Sequence, residues 1–184
     1  MIEIRWHGRG GQGVVTASYL LARAAIAEGK HAQHFPEFGP ERRGAPVVAY
    51  TRIDDEPIEI HCGIYTPDIV VVIDPTLLVN VEAILGGLKE GGKVVVNSSS
   101  PRAEFMERAR EKKAKVFYVD AYRIAMDVFK RALYNTPMLG ALVKASGVVN
   151  LNSVVEAVKE RFGGELADRN IEAIRKAYEG VREA

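Results

Sequence analysis

The chain has 184 residues, 47% of them hydrophobic and 27% charged, with a formal net charge of +1. That size and balance suit one globular domain, 1–184, with a full core, and they exclude a disordered chain. The near-neutral charge excludes the global basic field of a nucleic-acid binder, and the longest apolar run, Ile69 to Ile73, is far too short to span a bilayer.

The chain opens on an alternating run, Ile2-Glu3-Ile4-Arg5-Trp6, that reads as a strand, and then on His7-Gly8-Arg9-Gly10-Gly11-Gln12-Gly13. A helical run from Val14 to Glu28 follows, so a strand, a glycine-packed turn and a helix lie within thirty residues, the setting in which G-x-G-x-x-G carries meaning. Gly8, Gly10 and Gly13 fit the pattern and Gly11 adds a fourth glycine. Backbone N–H groups there would meet the positive end of the helix and favour an anion such as a phosphate, with Arg9 adding charge and Gln12 an amide. The other reading is a strand-to-helix turn whose glycines serve close packing alone. A dinucleotide fold would also need an acid about 20 positions on. His31-Ala32-Gln33-His34-Phe35 offers none before Glu37, which counts against NAD.

Val14, Ala17, Leu20, Leu21, Ala24 and Ala25 recur at helical spacing, and Gly29 ends that helix. A second extended run, His31 to Phe35, stops at Pro36. Pro36 to Pro46 then holds prolines, glycines and a charge cluster and reads as a loop. Arg42 and Arg43 beside Gly44 suit a phosphate or carboxylate, or else a solvated turn with surface ion pairs to Glu37 and Glu41. Val47 to Ile53 reads as a strand, with Ile58-Glu59-Ile60 as its hairpin partner across Asp54-Asp55-Glu56-Pro57.

From Asp68 the pattern becomes strand–helix–strand. Ile69 to Ile73 is expected to be a central strand covered on both faces. Asp74-Pro75 opens a helix to about Leu85, Val94 to Val96 is a strand, Pro101 opens a charged helix to about Lys113, and Val116 to Val119 is a further strand. Asp74, Asn97 and Asp120 stand at strand ends, where open α/β sheets place ligands, but helix capping explains each of them better. Beyond Asp120 only helices are expected: Ala121 to Lys130, Met138 to Ala145 capped by Thr136, one opened by a Ser153-x-x-Glu156 box and closed by Gly163-Gly164, and a last one with Ile171, Ile174, Tyr178 and Val181 as a packing stripe. The fold class is therefore α/β: a three-layer open mixed sheet, Rossmann-like, with a helical C-terminal third.

No nucleophile elbow, Walker loop or H-E-x-x-H pair is present. The one cysteine, Cys62, rules out an internal disulfide and an iron–sulfur cluster ligated by this chain alone, and as a lone thiol it is expected to be a small buried hydrophobe. His7, beside the glycine turn, is the only histidine placed to serve a site. The N-terminus lacks the features of a secretion signal, so a cytoplasmic place is expected. Scarce glutamine and cysteine with abundant Lys, Arg and Glu suit a thermophile.

Gly8-Arg9-Gly10-Gly11-Gln12-Gly13 and Phe38-Gly39-Pro40-Glu41-Arg42-Arg43-Gly44-Ala45-Pro46-Val47 together resemble the gamma subunits of 2-oxoacid:ferredoxin oxidoreductases. Asp74-Pro75 and Asn135-Thr136-Pro137-Met138-Leu139-Gly140-Ala141 look like the same family, with its pyruvate and 2-ketoisovalerate members nearest. The resemblance implies a complex that oxidatively decarboxylates a 2-oxoacid to an acyl-coenzyme A and reduces ferredoxin. Thiamine diphosphate with Mg, and the iron–sulfur clusters, would lie in the alpha, beta and delta subunits. The gamma chain would be non-catalytic, with gamma–gamma contact in a dimer of heterotetramers. Gly8, Arg9, Gly10, Gly11, Gln12, Gly13, Arg42, Arg43 and Gly44 would face the thiamine and coenzyme A region. An indolepyruvate or 2-oxoglutarate complex stays open as an alternative, as does an independent nucleotide-binding oxidoreductase or regulatory module.

Overall fold

Alternation along the first strand decides which side of the molecule is which. In the computed structural model, which describes residues 1–37 and 43–184, β1 (Ile2–Arg9) buries Ile4 and Trp6 on one face of the sheet and Arg5 and His7 on the other. Trp6 is fully buried and its indole N–H donates to Thr51 Oγ1 at 3.0 Å, so its one polar group is satisfied inside the core. The strand runs three residues beyond the expected Trp6, with Gly8 and Arg9 still paired to Val47 and Pro46, and the glycine turn contracts to Gly10–Gly13.

After α1 (Val14–Ala27) come β2 (His31–Pro36), β3 (Pro46–Asp54) and β4 (Ile69–Val72). Next are a 3₁₀ turn (Pro75–Val79), α2 (Val81–Leu85), β5 (Lys93–Asn97), α3 (Ala103–Glu111) and β6 (Lys115–Val119). Helices α4 (Ala121–Phe129), α5 (Asn135–Ser146), α6 (Leu151–Phe162) and α7 (Gly164–Gly180) follow, before a two-residue strand β7 (Arg182–Glu183). The sheet has seven strands in the order β2-β3-β1-β4-β5-β6-β7. β1, β4, β5 and β6 are parallel, while β2, β3 and β7 run antiparallel to their neighbours, so the sheet is mixed and open as expected.

One face is covered by α1, α5, α6 and α7, whose apolar residues join Ile4, Trp6, Val71 and Val95 in the main core. On the other face α2 and α3 cover Val70, Val72, Val94 and Val96. Helix α5 is buried along nearly its whole length, and a Cβ added at Gly140 would collide with the backbone of Ile174 in α7. The two helices therefore meet backbone to backbone.

Several local expectations are corrected. Ile58–Ile60 is not a strand: β3 already hydrogen-bonds β2 on one side and β1 on the other, leaving no edge for a hairpin partner. Side chains hold that segment instead, Gln33 Nε2 donating to the Ile58 carbonyl (3.0 Å) and Arg52 Nη2 to that of Gly63 (3.2 Å). Cys62, expected to be buried, lies exposed in the same segment. The helix expected from Pro75 to Leu85 is broken at Asn80, whose Oδ1 caps a new start by accepting from Ala83 N–H. Thr136 is not a cap but sits buried in the first turn of α5, donating to Asn170 Oδ1 at 2.8 Å. Helix α6 begins at Leu151, two residues before Ser153, and Glu156 pairs with Lys159 (2.8 Å) rather than closing a box. The C-terminal third is helical up to Gly180, but β7 then pairs with the edge of β6. Among the described residues, no helix is long and apolar enough to cross a membrane.

Candidate functional site

At the C-terminal ends of β1 and β4 the chain departs to opposite faces of the sheet: α1 packs on one, the 3₁₀ turn and α2 on the other. This is the crevice where open α/β sheets take ligands. Here a carboxylate of the chain itself bridges it. Asp74 Oδ1 accepts from Thr76 N–H (2.8 Å) and the Thr76 hydroxyl (2.5 Å), and Asp74 Oδ2 accepts from Gln12 Nε2 (2.5 Å) with Arg9 Nε at 3.5 Å. Burial works to raise the Asp74 carboxyl, but the bonds from Thr76 and Gln12 and the charge of Arg9 outweigh it and hold it below its ordinary value. Asp74 is thus a cap, as expected, and also the partner of Arg9 and Gln12, which its place in the sequence did not reveal. Asn97 and Asp120 are structural in the same way: Asn97 donates to Ile73 O and accepts from Ala121 N–H, and Asp120 caps α4.

The glycine turn and the described end of the second motif, 43–47, form one unit. Gly10 N–H donates to Ala45 O (2.8 Å), Gly44 N–H returns to Gly10 O (3.1 Å), and Arg9 Nη1 donates to Gly44 O (3.1 Å). A Cβ on Gly11 would lie 3.8 Å from Arg43 Cγ, so the Arg43 stem runs beside the turn. Arg43 is exposed and has no carboxylate within 4.0 Å among the described residues. Arg42, with Phe38 to Glu41, lies outside the described residues.

The glycine turn spends part of its donor set internally. Arg9 N–H donates to Gln12 Oε1 (2.7 Å), and Gln12 N–H to Arg9 O (3.1 Å). The N–H groups of Val14, Val15 and Thr16 open α1 without intrahelical partners, because the first helical bond runs from Ala17 to Gly13. Gly13 holds φ 75° at this start, a conformation costly for other residues, and a Cβ there would come within 2.5 Å of Asn135 Nδ2. A Cβ on Gly8 would collide with the Val14 side chain. The glycines thus serve packing as well as leaving a helix start open to an anion.

A second concavity opens on the other face of β1. It measures about 390 Å³ and is walled by Arg5, His7, Tyr50, Ile64, Leu77 and Ile84, among others. Arg5 is a buried guanidinium: Nη2 donates to the carbonyls of Ile84 (3.0 Å) and Gly86 (2.7 Å), and Nε to His7 Nε2 (3.0 Å). Burial, and then the neighbouring Arg5 charge, push His7 down to about 3, so it is a neutral acceptor. His7 therefore serves this cavity wall. Tyr50 donates to Glu37 Oε2 at 2.9 Å, and burial followed by that bond pushes its phenol up to about 12. Arg5 went unread in the sequence because an arginine alternating with Ile4 and Trp6 looks like a solvent-facing residue. The signal was its place on a strand flanked on both sides.

The fold and these clusters define a Rossmann-like α/β chain with a glycine turn at the start of α1, in which the described residues hold no group of three His, Cys, Asp or Glu side chains suited to a metal. The family model for pyruvate ferredoxin/flavodoxin oxidoreductase matches residues 3–180. The chain is 54% identical over 179 residues to the pyruvate/ketoisovalerate oxidoreductases common subunit gamma of Thermococcus litoralis, covering 97% of this chain and 96% of that one. It is 47% identical over 182 residues to the pyruvate synthase subunit PorC of Methanothermobacter marburgensis, covering 99% and 98%. The crystal structure of the pyruvate oxidoreductase subunit PORC of Thermotoga maritima superposes with a TM-score of 0.87 at 44% identity, over 100% of this chain and 98% of that one. The chain belongs to the pyruvate ferredoxin/flavodoxin oxidoreductase family.

Proposed function

We propose that this chain is the gamma subunit of a 2-oxoacid:ferredoxin oxidoreductase that converts pyruvate or a branched 2-oxoacid to acyl-coenzyme A and CO₂ in the cytoplasm. The observation that carries this reading is end-to-end similarity, at 44–54% identity, to gamma-type subunits that this chain covers almost completely. Thiamine diphosphate, Mg and the iron–sulfur clusters belong to the alpha, beta and delta partners, and electrons leave to ferredoxin through those subunits. Gamma–gamma contact in a dimer of heterotetramers is part of the same proposal.

Coenzyme A would supply the acyl acceptor, and this chain's part would be to hold its phosphates. The residues fit that task on one side of the turn only. Asp74 already occupies the inner side and engages Arg9, so an anion is better received outside, by Arg43, Gly44 and the opening N–H groups of α1. Arg42, adjacent in sequence, is assigned to the same task, while Gly8 to Gly13 provide the backbone that lets the phosphate approach.

The test is co-expression with the alpha, beta and delta subunits. Pyruvate- and coenzyme A-dependent ferredoxin reduction is expected only when this chain is included; equal activity without it overturns the reading. Arg43→Ala is expected to raise the apparent KM for coenzyme A with little change for the 2-oxoacid. One charge-assisted contact is worth about 1.5–3 kcal/mol, roughly ten- to a hundred-fold in affinity. A mutant complex that dissociates, while its intact fraction keeps a normal coenzyme A response, would assign Arg43 to subunit contact instead.

A further inference from the structure

The cavity beside Arg5 is not used by the function just proposed. It combines a buried cation with apolar walls. Arg5 is 9% exposed and spends Nη2 and Nε on two carbonyls and an imidazole, all neutral. No carboxylate among the described residues lies within 4.0 Å of it, and Nη1, which reaches solvent in the cavity, has no hydrogen-bond partner among them. Glu37 reaches the same cavity from its exposed mouth, but its carboxylate is taken by the Tyr50 hydroxyl. Burial lowers the Arg5 guanidinium more than the longer-range pull of Tyr50 and Glu37 raises it, so the charge stays under-compensated, an arrangement that an incoming carboxylate completes.

The mouth argues for a protein occupant over a small one. Tyr65 stands there 76% exposed, with Pro46 and Ala83 also exposed on the rim. A small ligand in the hole would leave this apolar rim in water, whereas a protein segment covers hole and rim together. Nor is Tyr65 on a loose loop. Gly87, at φ +72°, lets the Tyr65 backbone press against the chain following α2, where any Cβ would collide with the Tyr65 carbonyl. A large exposed aromatic on a closely packed backbone is what an interface anchor looks like before its partner arrives.

We propose that this cavity is a socket for another subunit of the complex, filled by an apolar segment that carries a carboxylate to Arg5. The proposal rests on the gamma-subunit reading and adds to it where a partner docks and by what chemistry.

The experiment uses the co-expressed complex. A photo-crosslinking p-benzoylphenylalanine at position 65 is expected to join this chain to the alpha, beta or delta subunit; adducts confined to this chain overturn the proposal. Ala83→Trp, which plugs the mouth, is expected to lower recovered complex at least tenfold. Ala83→Glu is expected to lower it more than Ala83→Lys, because the occupant is acidic. Leu166→Glu, at an exposed position of α7, serves as the control. Urea midpoints of the isolated variants show whether each folds, and should the tryptophan variant fail, the Glu/Lys pair and the crosslink still decide. If all Ala83 variants assemble normally, or assembly holds while coenzyme A dependence shifts, the socket is wrong. If the wild-type chain does not assemble with these partners at all, the subunit reading itself fails.

Discussion

Two buried charged or titratable side chains on one strand, Arg5 and His7, carry much of the residue-scale chemistry. Arg5 seals the C-terminal carbonyls of α2, and His7 accepts its Nε–H as a neutral ring. Because burial lowers His7 from 6.5 to about 3, the unfolded chain takes up a proton before the native state does. Stability from this group is complete above pH 6.5 and is lost as pH falls towards 3. We predict a loss of about 2 kcal/mol between pH 7 and pH 5 from His7. His7→Gln, which keeps an acceptor for Arg5 but cannot titrate, should remove that share of the decline in urea midpoints. A smaller slope will persist, because His34 is also lowered by burial. Equal slopes for wild type and His7→Gln would show that His7 is not buried neutral.

At the scale of elements, the packing of α5 on α7 is the tightest helix contact in the chain. Gly140 permits it by placing no side chain against the Ile174 backbone, and Thr136 and Asn170 add a buried hydrogen bond across the same pair. A backbone neighbour cannot rotate aside as a side chain can. We predict that Gly140→Ala, despite the better helix propensity of alanine, destabilises the fold by about 1–3 kcal/mol through overpacking. Thermal unfolding of the two forms checks this, and an unchanged or raised midpoint would show that the helices can separate at no cost. The motif Asn135 to Ala141 thus encodes a helix crossing and, through Asn135 on Gly13, the position of the glycine turn.

At the scale of the whole molecule, the crevice at the β1–β4 switch is bridged by Asp74 with Arg9 and Gln12. We predict that the pure chain, supplied with pyruvate, coenzyme A and thiamine diphosphate, reduces no viologen dye above background. Turnover at the level of a full complex would refute the division of labour proposed above.

The sequence by itself determined the elements whose signals are local. The continuous β-branched runs at β4 and β5 could only be central strands, the glycine turn could only join a strand to a helix, and Asp74 and Asp120 capped what they were placed to cap. It also carried the family resemblance, because the two N-terminal motifs occur together. What it left open depended on residues far apart in the chain. Ile58–Ile60 alternates like a strand, yet both edges of β3 were claimed by β1 and β2, and backbone hydrogen bonds cannot be shared with a third strand. Arg9 read as a free charge until folding set Asp74, 65 positions later, beside it. Arg5 drew no reading from the sequence, because its role arises only when β3 and β4 close around β1 and the end of α2 comes down on its guanidinium. Local propensity follows from a few neighbouring residues, but the availability of a hydrogen-bonding edge, or of a charge, is decided by what the rest of the chain brings against it.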